Sequence, residues 1–105
     1  MKGIEYNKLI RDRIPKIIEE SGKKAVVNRI KGEELLKALN DKLKEELEEY
    51  IQSGSIEELA DLVEVIYAIL NFQGISVSEF NEMRENKNKY RGSFREGLLL
   101  VEVTE

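Results

Sequence analysis

The chain has 105 residues, 36% of them charged, a formal charge of −4 and neither cysteine nor histidine, which leaves room for one small domain and excludes disulfides, thiolate zinc sites, Cys/His nucleophile pairs and the Glu-x-x-His di-iron pattern. Both signs of charge are spread along the chain, which argues against a nucleic-acid polymer as partner, because that partner selects a net basic face. No apolar run approaches the roughly 20 residues of a bilayer span and the start lacks a signal-peptide core, so a cytoplasmic protein with no membrane partner is expected.

The first dense stretch, Tyr6-Asn7-Lys8-Leu9-Ile10-Arg11-Asp12-Arg13-Ile14-Pro15, mixes basic and apolar residues and ends in the only proline. Pro15 suits the first turn of a helix through Ile17, Ile18 and Glu20, which Ser21-Gly22 closes. Ala25 to Ile30 is short, β-branched and bounded by turn residues, a strand candidate whose best partner is Leu98 to Val103. That pairing predicts a small two-stranded ribbon joining the terminal regions.

A long helix is expected from about Glu33 to Ile51, with Leu35, Leu36, Leu39, Leu43, Leu47 and Tyr50 as its apolar stripe. At about 100° per residue, Glu46 falls inside that arc and Glu49 at its edge, while Glu45 and Glu48 point to solvent. A second helix, from about Ser55 to Phe72, carries Glu58 and Asp61 in the sector that continues through Val65 and Ala68. Glu57 and Glu64 occupy the opposite polar strip. The second half of this helix is apolar nearly all round, with Val65, Ala68 and Ile69 beyond what one neighbour covers, so pairing of chains is expected. Gly74 closes it, and Ser76 or Ser78 caps a third helix running to about Tyr90, with Phe80, Met83 and Tyr90 on a thin apolar side. No repeat or linker interrupts the chain, so residues 1–105 read as one domain.

Two acidic i, i+3 pairs flank the break at Gln52-Ser53-Gly54-Ser55. Glu49 and Glu58, and likewise Glu46 and Asp61, are equidistant from its centre between Ser53 and Gly54. If the chain reverses there, such positions stand at the same height on neighbouring antiparallel helices. Four carboxylates at one level repel one another unless a cation joins them, and a hard divalent ion with oxygen ligands is the natural occupant. The bland alternatives are a solvated acidic helix and, for Glu58, a capping box with Ser55. Lys8, Arg11 and Arg13 near the start, and Lys87 and Arg91 on one face of the third helix, are cations of the kind that hold phosphate oxygens.

Glu45-Glu46-Leu47-Glu48-Glu49 followed by Glu58-Leu59-Ala60-Asp61 resembles the E-E-x-x-E and E-x-x-D signature of MazG-like all-α nucleoside triphosphate pyrophosphohydrolases. Tyr6 to Pro15 is similar to the Y-N-K-L-V-R-D-K-I-P start of a phosphoribosyl-ATP pyrophosphohydrolase-like branch, and Arg91-Gly92-Ser93-Phe94 is similar to its R-G-G-F, with serine replacing the second glycine. The resemblance implies a mainly α, antiparallel helical bundle, and the apolar second half of the second helix makes a homodimer or homotetramer the expected assembly. It implies Mg²⁺, or Mn²⁺ in its place, held by Glu46, Glu49, Glu58 and Asp61, with Glu45 and Glu46 as the catalytic carboxylates and Glu45 supporting or orienting the attacking water. The implied reaction converts a nucleoside triphosphate to monophosphate and pyrophosphate, clearing non-canonical nucleotides, with Lys8, Arg11, Arg13, Lys87 and Arg91 on the phosphates. Hydrolysis of phosphoribosyl-ATP in histidine biosynthesis and a non-catalytic acidic helical module that binds a basic partner are the competing readings.

Overall fold

The computed structural model describes residues 3, 4 and 6–105. Four helices follow in order: α1 (Ile14–Glu20), α2 (Gly32–Ser53), α3 (Ile56–Gln73) and α4 (Val77–Arg91). Pro15 sits in the first turn of α1, where its missing N–H would have had no helical acceptor. The long pair α2 and α3 forms an antiparallel hairpin, closed by Gly54 in the left-handed region at φ 66°. The Gly54 N–H donates to the Tyr50 carbonyl at 2.7 Å, so the last turn of α2 is satisfied before the chain reverses. Gly74 ends α3 in the same conformation, and the chain then turns by 112° into α4. Ser76 caps α4, its Oγ accepting from the Glu79 N–H at 3.0 Å.

The core is narrow. Leu39 of α2 and Val65 and Leu70 of α3 are its buried apolar residues, each at most 9% exposed. Leu35, Leu36, Leu43 and Tyr50 are half-buried along the predicted stripe of α2, whereas Leu47 is open. On α3, Val65 is buried and Ala68 and Ile69 are half-buried, so the uncovered large apolar positions are instead Ile56, Val63 and Tyr67, with Leu47 and Ile51 on α2. α4 touches α3 and no other helix, and it buries no residue of its own.

The ribbon expected between residues 25–30 and 98–103 does not form, and no strand occurs among the described residues. Val26, Leu98, Leu99, Leu100, Val101 and Val103 are each at least 79% exposed. The physical reason is the lack of a surface beneath them: β-branched residues favour a strand by packing one face on neighbours, and a two-stranded ribbon alone is marginal in water. The chain consequently stays open, with a radius of gyration of 18.6 Å where a compact chain of this length has about 13 Å. No single described helix is long and apolar enough to cross a membrane.

Candidate metal centre

The hairpin delivers the acidic residues because its turn is short and both helices continue straight from it. Glu46 comes from α2, and Glu58 and Asp61 from α3, and one carboxylate oxygen of each lies within 4.8 Å of the others. An ion with oxygen bonds of about 2.0–2.6 Å sets opposite ligands about 4–5 Å apart, so the cluster has the scale of a divalent cation site. Glu46 is 7% exposed, the only buried charged residue among those described. Its Oε2, and Oε2 of Glu58, are buried with no hydrogen-bond partner. A buried oxygen that carries charge and meets no donor is costly, so the donor set fits a hard cation and is poorly satisfied without one.

The capping box does not account for Glu58. Ser55 makes no side-chain cap bond, and Glu58 joins it only through the ordinary backbone link from its N–H to the Ser55 carbonyl at 3.2 Å. Glu58 instead turns toward α2. Glu57 and Glu64 are exposed, as is Glu48 on α2, so the polar strips are solvated, while Glu46, Glu58 and Asp61 lie on the other side. Glu49 is exposed too, yet its charge reaches Glu46 from the next turn of the same helix.

Glu45 departs from the helical-wheel expectation. It is half-buried rather than directed to solvent, because Lys8 donates to its Oε1 at 3.0 Å and Lys42 donates to the same oxygen at 3.4 Å. Burial pushes the Glu45 carboxyl up, but the two lysines together outweigh it and hold the group below its ordinary range. Lys8 is in turn raised by its hydrogen bond to Glu45. Lys42 also stands 3.4 Å from Glu46 Oε1. This lysine went unnoticed in the sequence, although its place four residues before Glu46 on one helix face was the available signal.

Arg11 completes the arrangement, its Nη2 donating to Asp61 Oδ1 at 2.7 Å. The segment before α1 thus lies across the cluster, with Lys8 on the α2 side and Arg11 on the α3 side. Arg13, Lys87 and Arg91 form no ion pair among the described residues. Lys87 and Arg91 face an open groove along α4 with Met83, Asn86 and Tyr90, and since α4 packs on α3 alone, one chain does not bring them into the cluster's hydrogen bonds. Comparison of the chain with protein-family models, curated proteins and solved structures found no match.

Proposed function

We propose that the chain is a MazG-like nucleoside triphosphate pyrophosphohydrolase, cytoplasmic and dependent on Mg²⁺ or Mn²⁺, that clears non-canonical nucleotides. The observation that carries this reading is the pair of buried, partnerless carboxylate oxygens, Glu46 Oε2 and Glu58 Oε2, facing across a hairpin with Asp61 within ligand distance. An all-oxygen donor set without nitrogen or sulfur selects a hard cation. Such an ion supplies charge neutralisation at phosphate oxygens and activation of a water, which displacement at phosphorus requires.

Glu46, Glu49, Glu58 and Asp61 are the holding residues in this reading. Glu45 stays ionised at neutral pH under the influence of Lys8 and Lys42, and so can accept a hydrogen bond from the attacking water and orient it. Lys8 and Arg11 stand beside the cluster and offer N–H donors to phosphate oxygens, with Arg13 two residues further on. Lys87 and Arg91 form a second cationic group on α4, which joins the site through assembly of two or more copies. Cleavage at the α phosphorus is favoured by the motif resemblance and by cations suited to holding the β and γ phosphates as one leaving group. The Gly-x-x-x-x-Gly-Lys-Ser/Thr loop of γ-cleaving enzymes occurs nowhere in the chain.

Hydrolysis in ¹⁸O-labelled water tests the reading. Label in the nucleoside monophosphate, with pyrophosphate leaving intact, is the expected result. Orthophosphate as first product with nucleoside diphosphate accumulating overturns it, as does turnover that is indifferent to chelation of divalent ions.

A further inference from the structure

The cations nearest the carboxylate cluster are the chain's own. Arg11 Nη2 is 2.7 Å from Asp61 Oδ1, and Lys8 Nζ is 3.0 Å from Glu45 Oε1, across 50 and 37 residues of sequence respectively. These are long-range contacts, not neighbours on one helix. Arg11 thus pairs with a member of the cluster and Lys8 with its neighbour Glu45, Lys42 stands 3.4 Å from Glu46 Oε1, and Glu46 Oε2 and Glu58 Oε2 are left without a donor. In the segment that carries them, Asn7 has a φ of 47° and is the one non-glycine residue described with positive φ. Asparagine tolerates that region.

We propose that this amino-terminal segment is a built-in counter-ion clamp: Arg11, aided by Lys8, holds the carboxylate cluster when no divalent cation is bound and is displaced when one binds. The inference rests on the metal reading above and adds a role for Arg11 that precedes any contact with substrate. A guanidinium in contact with a ligand carboxylate competes with an incoming divalent ion for the same negative charge, so the two occupy the site at each other's expense. Displacement frees the Arg11 donors at the edge of the cluster, where a phosphate oxygen can take them. Cation and anionic ligand are then coupled through one side chain, and the coupling is reciprocal: drawing Arg11 onto an anion also relieves its competition with the cation. Both partners of the Arg11–Asp61 pair are partly solvated, which sets a modest size for the effect.

Calorimetric titration of the full chain with Mn²⁺, without nucleotide and at about 0.15 M salt, where long-range charge effects are screened beyond about 8 Å, tests the clamp. Arg11→Gln is expected to tighten Mn²⁺ binding about three- to five-fold, the factor that an exposed ion pair is worth at the upper end of its range. Lys8→Gln should tighten it in the same direction. Lys16→Gln removes the same charge from α1, where Lys16 faces Glu20 at 4.0 Å, and should leave the affinity unchanged. Equal or weaker binding by Arg11→Gln overturns the clamp, and so does equal tightening by Arg11→Gln and Lys16→Gln, which would be an effect of net charge alone. Absence of binding in the native chain and in Arg11→Gln alike overturns the metal reading itself, and the clamp with it.

Discussion

Burial raises the Glu46 carboxyl above its ordinary range, and the charges of Glu49 and, less strongly, Asp61 add to that against the pull of Lys42. The native chain therefore holds a proton on Glu46 more tightly than the unfolded chain does. Stability is lost as pH rises from the ordinary glutamate value through the raised one, and the deficit persists at neutral pH. Glu46→Gln should accordingly raise the melting temperature of the cation-free chain at pH 7, with the gain vanishing below about pH 4, where the carboxyl is protonated in both states. Thermal melts at the two pH values, with a chelator present, check this, and a lower midpoint for the variant at pH 7 contradicts it. With saturating Mg²⁺ the order should reverse, since only the native site is stabilised by the ligand. Turnover sorts the same residues. Glu46→Gln, Glu58→Gln and Asp61→Asn should each lose at least about 100-fold, because even supporting groups around a metal site are worth 10- to 100-fold. Glu49→Gln should join them, its exposed carboxylate being free to swing onto the ion. Glu48→Gln and Glu57→Gln, exposed on the solvated strips, should stay within about twofold. Equal loss from all six would defeat the assignment.

At the level of elements, the hairpin and its caps decide how well the cluster is assembled. A Cβ added at Gly54 would meet nothing within 4 Å, so the cost of Gly54→Ala is purely that of the left-handed backbone. About 1 kcal/mol or somewhat more is expected, with Gly54→Asn losing less because asparagine accepts that conformation. Denaturant titration of the two variants measures the difference, and equal losses would mean that the turn relaxes. The serines before α3 and α4 look alike in sequence and differ in the structure. Ser76 Oγ accepts from the Glu79 N–H, whereas Ser55 makes no side-chain cap bond. Ser76→Ala should therefore cost about 1 kcal/mol and Ser55→Ala a few tenths at most.

The whole molecule exposes more surface than a closed monomer of its mass. Its solvent-accessible area is 10159 Å² at 12.1 kDa, where a closed monomer of that mass exposes about 6,000 Å². The surplus of roughly 4,000 Å² per chain exceeds the share of about 1,000–2,500 Å² that each partner gives to a large, permanent interface, so unpacked terminal segments account for part of it. Leu47 and Ile51 on α2, and Val63 and Tyr67 on α3, supply apolar positions for such a contact. Sedimentation at micromolar concentration should show a dimer or tetramer, and a stable monomer would count against it. If assembly also brings α4 of one copy to the cluster of another, mixing an inactive Asp61→Asn chain with an inactive Lys87→Gln/Arg91→Gln chain should restore part of the activity. Failure of the mixed assembly to regain turnover would separate α4 from the site.

The sequence by itself determined the helices, their breaks and the paired acidic sector. Helical period, the Ser53-Gly54 reversal and the equal spacing of Glu46 and Asp61 about it are local properties, readable from a 100° step and a 1.5 Å rise. For the same reason the exposure of Glu48, Glu57 and Glu64 was legible. Only the tertiary structure decided what lies over the cluster. Lys8 and Arg11 are 37 and 50 residues from their partners, and no periodicity links them. That contact draws Glu45 inward against its helical angle and leaves Glu46 Oε2 and Glu58 Oε2 as the unpaired oxygens. The missing ribbon has the same origin: the strand pattern at residues 25–30 and 98–103 states a preference, and whether a surface is present for those side chains to pack on is settled by the path of the whole chain.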